Sequence, residues 1–415
     1  QQNSYVTIPR AANSFDNTEI AANVDEDIID SLTGGRLVGS VTSFENFAEC
    51  PLRYYLRYGV DLKEREEFTF SPVNFGVVLH AVIREVCDEI KKNGESYYLI
   101  SEEKRREMVK RSVAAITDIY QNSILKDSSR NSFMIKRMED LADRTVWAMG
   151  EQLKCGDFVP FVFEHKFNME VGDGDRKQLM SGTIDRVDIC ENGTDVYVRI
   201  IDYKTGKKDF NIVKTYYGID IQLMVYMEAA MKLVAKMRPG KNVIPAGVFY
   251  YNISDPIVSA TTESADEIED KIKGELRLKG MVNSDKDIAE KMDNTEGTSL
   301  NIPVSRKADG GFDSRRSKVM NTEQFNMLGR FVDVRAVDTA DRIAGGDIRR
   351  SPYKDGQFSS CDRCPYGAVC GFSVDLPGCN YRKLKKFDDE VLWNNIKEGV
   401  DENGKKMDTG AEERD

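Results

Sequence analysis

The sequence predicts an α/β fold: a mixed β-sheet flanked by helices, with a helical N-terminal part and a C-terminal segment organised by cysteines. Three observations carry that expectation. Apolar residues recur at helical spacing until about residue 155, and from Phe161 they alternate with other residues. Two strand-like runs, 179–190 and 196–203, flank Asn192-Gly193, a pair suited to a tight hairpin. An amphipathic stretch over 214–237 then precedes an apolar run over 243–251, the order of a crossover helix leading into a further strand.

Each element follows from local chemistry. Residues 1–40 are polar with a run of acids at 25–30, and read as a leader or linker. The start, Gln1-Gln2-Asn3-Ser4, has no initiator methionine and no signal-peptide pattern, so the chain is expected to be a piece of a longer cytoplasmic protein. A helix begins at Val41-Thr42-Ser43, with Thr42 or Ser43 as its cap. Cys50-Pro51 interrupts it, and Leu52, Tyr55 and Leu56 share one side of the next helix. Pro72 opens a stronger helix that Gly94 ends, with Phe75, Val78, Leu79, Val82, Ile83 and Val86 as its buried stripe. Helices over 102–122 and 133–154 complete a helical part, 41–158, and 159–260 forms the sheet and its crossover helix. Within 261–350, the span of about 280–319 has no clear period and is expected to be a flexible insertion. Asn321-Thr322-Glu323 starts another helix ending near Gly345-Gly346. Residues 351–387 carry the cysteines, and 388–415 form an acidic tail expected to be mobile.

Bulk properties narrow the function. At 415 residues and 40% hydrophobic content the chain can bury a sizeable core, and no stretch approaches the roughly 18 apolar residues of a membrane span. A net charge of −11 argues on its face against nucleic acid. Binding depends on local stripes, however, and Arg315, Arg316 and Lys318 form one while Arg382, Lys383, Lys385 and Lys386 form another. Each stripe reads equally well as a solvated face. No G-x-x-x-x-G-K-[ST] occurs, so this segment should not hydrolyse ATP.

The chemistry concentrates in two constellations. Asp185 lies in an apolar strand, and Asp202 and Lys204 lie two residues apart in the next, on one face. A hairpin brings Asp185 alongside, and converging carboxylates call for a cation. Hard oxygen donors suit Mg²⁺ or Mn²⁺. Taken alone, a D-x-K triplet reads more readily as exposed strand-end charges. The second constellation is Cys361-x2-Cys364-x5-Cys370, three thiols close enough to share a metal centre, with Cys379 or the distant Cys50 as fourth ligand. Either zinc or a [4Fe-4S] cluster fits four thiolates. Cys87, Cys155 and Cys190 are isolated and read as small core residues.

In order and spacing, Gly76-Val77-Val78-Leu79-His80, Gly182-Thr183-Ile184-Asp185-Arg186-Val187-Asp188, Asp202-Tyr203-Lys204-Thr205-Gly206 and Gln222-Leu223-Met224-Val225-Tyr226 together resemble the RecB-like PD-(D/E)xK nucleases. The resemblance implies a restriction-endonuclease-like core in which His80, Asp185 and Asp202 ligate the metal, with the Tyr203 carbonyl as a possible fourth ligand. It makes Lys204 the catalytic lysine, has Gln222 and Tyr226 contact DNA or support the site, and places an extra acid at Glu164. Cys50, within Glu49-Cys50-Pro51-Leu52-Arg53-Tyr54-Tyr55, precedes these motifs and the cysteine trio follows them. This layout is similar to that of the iron–sulfur nucleases of the AddB family, which implies a [4Fe-4S] cluster on Cys50, Cys361, Cys364 and Cys370. The implied function is a magnesium-dependent DNA exonuclease domain of a bacterial helicase–nuclease. It would act in double-strand break repair by homologous recombination, degrading the 5′-ended strand of a threaded single-stranded end beside an AddA-type partner. A stand-alone iron–sulfur exonuclease of the CRISPR-associated kind and a nuclease-dead DNA-binding module are the competing readings. The intact Asp185, Asp202 and Lys204 speak against the last.

Overall fold

A computed structural model of the chain describes residues 23–25, 38–63, 72–119, 129–171, 178–259, 264–376 and 379–411. Strand β1 (Val38–Ser40) runs straight into α1 (Val41–Glu49). The cap of α1 is Ser40 rather than Thr42 or Ser43: β1 holds Ser40 extended, and its Oγ accepts the Ser43 N–H at 3.1 Å. Cys50 ends α1 and Pro51 opens the short α2 (Pro51–Tyr54), which loosens into one π-turn, Tyr55–Gly59. Helices α3 (Pro72–Lys92), α4 (Glu102–Ile119) and α5 (Ser129–Lys154) follow, and Gly94 at φ +66° turns the chain after α3.

Strands β2 (Val159–Val171), β3 (Gln178–Asn192) and β4 (Asp195–Lys204) form an antiparallel meander. Gly193, at φ +59°, makes the tight turn between the last two. Helices α6 (Ile212–Tyr216) and α7 (Gln222–Met237) cross over to β5 (Asn242–Asn252), which pairs parallel to β4. The expected single helix over 214–237 is thus broken, because Gly218 turns at φ +76° between its halves. That break places Gln222 in the first turn of α7. After α8 (Ala265–Glu275), strands β6 (Lys279–Asn283) and β7 (Val319–Met320) complete a seven-stranded mixed sheet in the order β1-β3-β4-β5-β6-β7, with β2 also on β3.

Alternation along β4 divides the core. Tyr197, Ile201 and Tyr203 face α3, α4 and α5, whereas Val196, Val198 and Ile200 face α1, α7, α10 (Thr322–Ala344) and α12 (Asp389–Ala411). Two expectations are corrected here. The span of about 280–319 is not a flexible insertion. It contains β6, α9 (Lys286–Met292) and a buried polar knot in which Asp293 accepts from Thr295 N, Ser299 Oγ and Asn301 Nδ2 at 2.8, 2.7 and 3.1 Å. Polar side chains order this stretch, so it shows no hydrophobic period. Nor does the acidic tail begin free at 388: α12 buries Leu392 and Ile396 against the core. Among the described residues no helix is long and apolar enough to cross a membrane.

One buried ion cluster underpins the hairpin. Asp188 accepts from Arg186 Nε and Nη2 at 2.7 and 2.6 Å and from Arg199 Nε at 2.8 Å, and all three side chains are buried. The fork geometry and the shared acid compensate two charges that would each be costly here alone.

Candidate active site and cysteine cluster

The β3–β4 ladder stops at Arg186↔Ile201, one residue short of Asp185. In place of the next ladder bond, Asp185 Oδ2 accepts the Tyr203 N–H at 2.6 Å. The strands splay there, and Asp185 Oδ1 lies 3.4 Å from Nδ1 of His80, which α3 supplies. Glu164 on β2 brings Oε1 to 3.7 Å from the same nitrogen. Glu164 is held at φ +48°, a left-handed conformation that a glutamate adopts only when its surroundings impose it. His80, Glu164 and Asp185 each present one donor atom within 4.8 Å of the others. With Gly76, Tyr203, Lys204 and Thr205 nearby, His80 and Glu164 line an open cavity of about 440 Å³.

Asp202 is buried close to Asp185 but is not one of the three donors that converge. Burial and the neighbouring charge of Asp185 push its carboxyl up to about 7, against the pull of Lys204. Lys204 Nζ lies 2.5 Å from Asp202 Oδ2 and donates to Gln222 Oε1 at 2.9 Å. Gln222 Nε2 in turn donates to Asp202 Oδ1 at 3.0 Å and to the Tyr226 hydroxyl at 2.9 Å. One amide thus links the acid, the lysine and the tyrosine. Burial alone would lower the pKa of His80, but hydrogen bonds to Asp185 and Glu164, with their charges, raise it to about 10. Two carboxylates and one imidazole therefore demand positive charge at one point. Oxygen donors with a single nitrogen fit a divalent ion such as Mg²⁺ or Mn²⁺. The Tyr203 ring sits edge-on to the His80 ring at 5.9 Å between centroids and limits its rotation.

Glu45 escapes the sequence motifs. Its Oε1 accepts the N–H groups of Ile221 and Gln222 at 2.9 and 3.0 Å, tying α1 to the start of α7 and setting the height of Gln222. Burial pushes its carboxyl up to about 7, with Lys208 pulling it down and Asp220 pushing it up. The available signal was an acid among Val41, Phe44, Phe47 and Ala48 on a short apolar helix. Glu45→Ala should cost about 1–3 kcal/mol, since two amides lose their acceptor. It should also lower DNA cleavage, whereas Glu45→Gln keeps an acceptor oxygen and most of both properties. Thermal melts and cleavage rates check this, and an alanine variant matching the parent in both would remove the role.

The cysteines of the second constellation are neighbours in the fold. The Cys50 thiol, at the α1–α2 junction, has Cys364 as an electrostatic neighbour, and Cys370 has both Cys50 and Cys364. Cys361 is raised to about 11 by burial, eased by the Tyr381 hydroxyl and reinforced by Cys50, Cys364 and Cys370. All eight cysteines are free thiols. Among the described residues no three of these sulfurs lie within 4.8 Å of one another, and a metal centre would relieve the repulsion of their thiolate forms. Cys379 is buried but is not among the principal neighbours of Cys50, Cys361 or Cys370. The segment around the trio, with β8 (Tyr353–Asp355), β9 (Phe358–Ser359), α11 (Gly367–Cys370) and β10 (Arg382–Lys383), is bonded to the N-terminal part. Tyr366 donates to the Leu62 carbonyl at 2.9 Å, Leu52 N donates to the Arg349 carbonyl at 3.3 Å, and Arg382 donates to the Ala48 carbonyl. Arg382 is therefore turned partly inward, away from the exposed stripe of Lys383, Lys385 and Lys386. Lys318 is paired with Asp209 at 2.6 Å, which shortens the other stripe. Cys87 and Cys190 are core residues, while Cys155 is half-buried.

Known proteins resemble this chain in sequence. The sequence profile described as the PD-(D/E)XK nuclease superfamily matches residues 39–371. A Thermoanaerobacter sp. (strain X514) protein, named as a subunit of an ATP-dependent helicase/deoxyribonuclease, is 33% identical over 380 residues, covering 89% of this chain and 33% of that protein. Proteins of the same name from Clostridium acetobutylicum and Lachnoclostridium phytofermentans are each 34% identical, over 90% and 94% of this chain and 33% and 34% of theirs. The chain spans about a third of the length of the curated relatives it matches.

Proposed function

This chain belongs to the PD-(D/E)XK nuclease superfamily, and on that premise we propose that it is the magnesium-dependent deoxyribonuclease part of a bacterial helicase–nuclease protein of the AddB type. The observation that carries the proposal is the convergence of His80, Glu164 and Asp185 beside the Asp202–Lys204–Gln222 network. His80, Asp185 and Asp202 would hold the metal, with the Tyr203 carbonyl as a further ligand and Glu164 as the extra acid. When bound, Mg²⁺ or Mn²⁺ supplies Lewis acidity to a phosphate oxygen and lowers the pKa of water.

The chain's own groups do the rest. Lys204, steered by Asp202 and Gln222, keeps an ammonium where negative charge builds on the phosphate. Gln222 and Tyr226 form a polar floor that holds both partners in register. Cys50, Cys361, Cys364 and Cys370 would carry a [4Fe-4S] cluster that fastens the C-terminal segment to α1 and α2. The relatives' printed name joins helicase and deoxyribonuclease in one assembly, which supports an AddA-type partner and a single-stranded DNA end as substrate. By the family resemblance, the role is degradation of the 5′-ended strand during double-strand break repair by homologous recombination in the cytoplasm.

The test is cleavage of end-labelled single-stranded DNA by the purified chain with Mg²⁺, with Mn²⁺ and with chelator, alongside binding at rising salt. Cutting should require the metal, and affinity should fall steeply with salt as phosphate contacts release counterions. Undiminished cutting in chelator, or binding indifferent to salt, would overturn the reading.

A further inference from the structure

Away from the carboxylates, α6, α10, α12 and the chain after β10 enclose a solvent-open cavity of about 600 Å³. Its walls combine aromatic rings with cations. Tyr216 stacks on Phe331 at 5.3 Å and 5°, and Tyr217 stacks on Phe387 at 6.4 Å and 26°. The Arg335 guanidinium lies over both Tyr216 and Phe331, 5.7 and 5.5 Å from the ring centres. Its Nε donates to the Tyr216 carbonyl at 3.2 Å, and among the described residues no carboxylate pairs with Arg335. Lys385, exposed on the rim, belongs to the basic stripe after β10, and its backbone N–H donates to the Tyr217 hydroxyl at 3.2 Å. Glu398 is the one acid in the lining.

A purely structural aromatic cluster closes on itself and excludes water. This one stays open, and among the described residues its half-buried arginine makes no ion pair. Stacking faces beside a fixed cation are what a nucleotide of a flexible single strand requires, the base taking the rings and the phosphate taking the charge. The position also suits a strand. The cavity's Tyr216 and Tyr217 end the same run of chain that leaves β4 at Lys204 and carries the exposed Lys207, while Lys208 and Lys214 in that run pair with Asp220 and Asp355.

We propose that the cavity bounded by Tyr216, Tyr217, Phe387, Arg335 and Lys385 is a second single-stranded DNA contact, which grips a nucleotide beyond the one being cleaved. The inference rests on the reading of the chain as a DNA nuclease. It separates substrate gripping from chemistry, because a long strand engages both places and a short one only the carboxylate site.

The test uses the full chain and fluorescence anisotropy without divalent metal, comparing a long oligothymidylate with a tetranucleotide. In the Arg335→Ala/Lys385→Ala variant, the long oligonucleotide should bind about tenfold more weakly, losing stacking support and phosphate contacts. Its log–log salt slope should shrink by about 0.7 for each contact removed. The long-to-short affinity ratio then collapses. Lys385→Ala alone, on an exposed side chain, should give part of the effect if the double variant folds poorly. Parent-like affinity for the long strand in a folded variant overturns the proposal, as does an equal loss for both lengths. A parent chain that binds the long strand in this manner yet cuts no DNA refutes the nuclease reading and leaves this contact standing.

Discussion

Lys204→Ala should lower metal-dependent cleavage of single-stranded DNA by about 10²–10³-fold, the usual cost of removing one preorganised charge-stabilising donor. The geometry explains why so much rests on one ammonium. Its Nζ is fixed from two sides, 2.5 Å from Asp202 Oδ2 and 2.9 Å from Gln222 Oε1, so little reorganisation is needed as charge develops. An interaction made mainly in the transition state should lower kcat and kcat/KM together, with KM little changed. Asp202→Ala should be at least as damaging, since it removes a proposed ligand and the lysine's partner at once. Both variants should keep the parent's circular dichroism, because the β4–β5 ladder that holds both residues is bonded through backbone and the Asp188 cluster lies elsewhere. Single-turnover rates at saturating Mg²⁺ check this. A folded Lys204→Ala protein cutting at the parent rate would remove Lys204 from the mechanism.

Much of this site is legible in the sequence because its core is a matter of strand period. Asp202 and Lys204 must share a face whatever the rest of the chain does, and a hairpin is signalled at Asn192-Gly193. Its turn is Gly193-Thr194, with Asn192 paired to Asp195, and it is this register that sets Asp185 beside them. The helix carrying His80 is equally plain, from Pro72 to its apolar stripe. What stays hidden depends on tertiary placement. Glu164 reaches the site through a left-handed backbone on β2, which no periodicity announces. Periodicity sets Gln222 and Tyr226 in the middle of a long helix, but Gly218 breaks it, and the resulting N-terminus is held by Glu45 from the other end of the domain. The span of about 280–319 looks flexible in sequence because its order comes from Asp293 and its polar partners instead of an apolar stripe. Asp188 sits in plain view within Asp185-Arg186-Val187-Asp188, yet only the fold reveals that it faces away from the metal donors to pair with Arg186 and Arg199.

Cys50→Ser should abolish incorporation of the proposed iron–sulfur cluster and leave 351–387 open to protease, whereas Cys379→Ser should keep both cluster and protection. Proximity in sequence favours Cys379, since a local site closes a shorter loop. The loop term grows only logarithmically, so closing roughly 310 residues instead of a few costs only a few kcal/mol more. Apparent binding energies of about 10 kcal/mol or more for structural metal sites offset that. The fold has already met much of the entropy cost, because Tyr366, Arg349 and Arg382 tie the C-terminal segment to Leu62, Leu52 and Ala48 before any metal binds. Cys50 is therefore held near Cys361, Cys364 and Cys370 by a formed interface, and the repulsion of their thiolate forms is what a cationic cluster core would relieve. Iron content, visible absorption of anaerobically purified protein and limited proteolysis separate the two cysteines. Loss of iron on changing Cys379, with Cys50→Ser still coloured and protected, would replace the clamp with a local site. The C-terminal segment would then be held to α1 and α2 by hydrogen bonds alone.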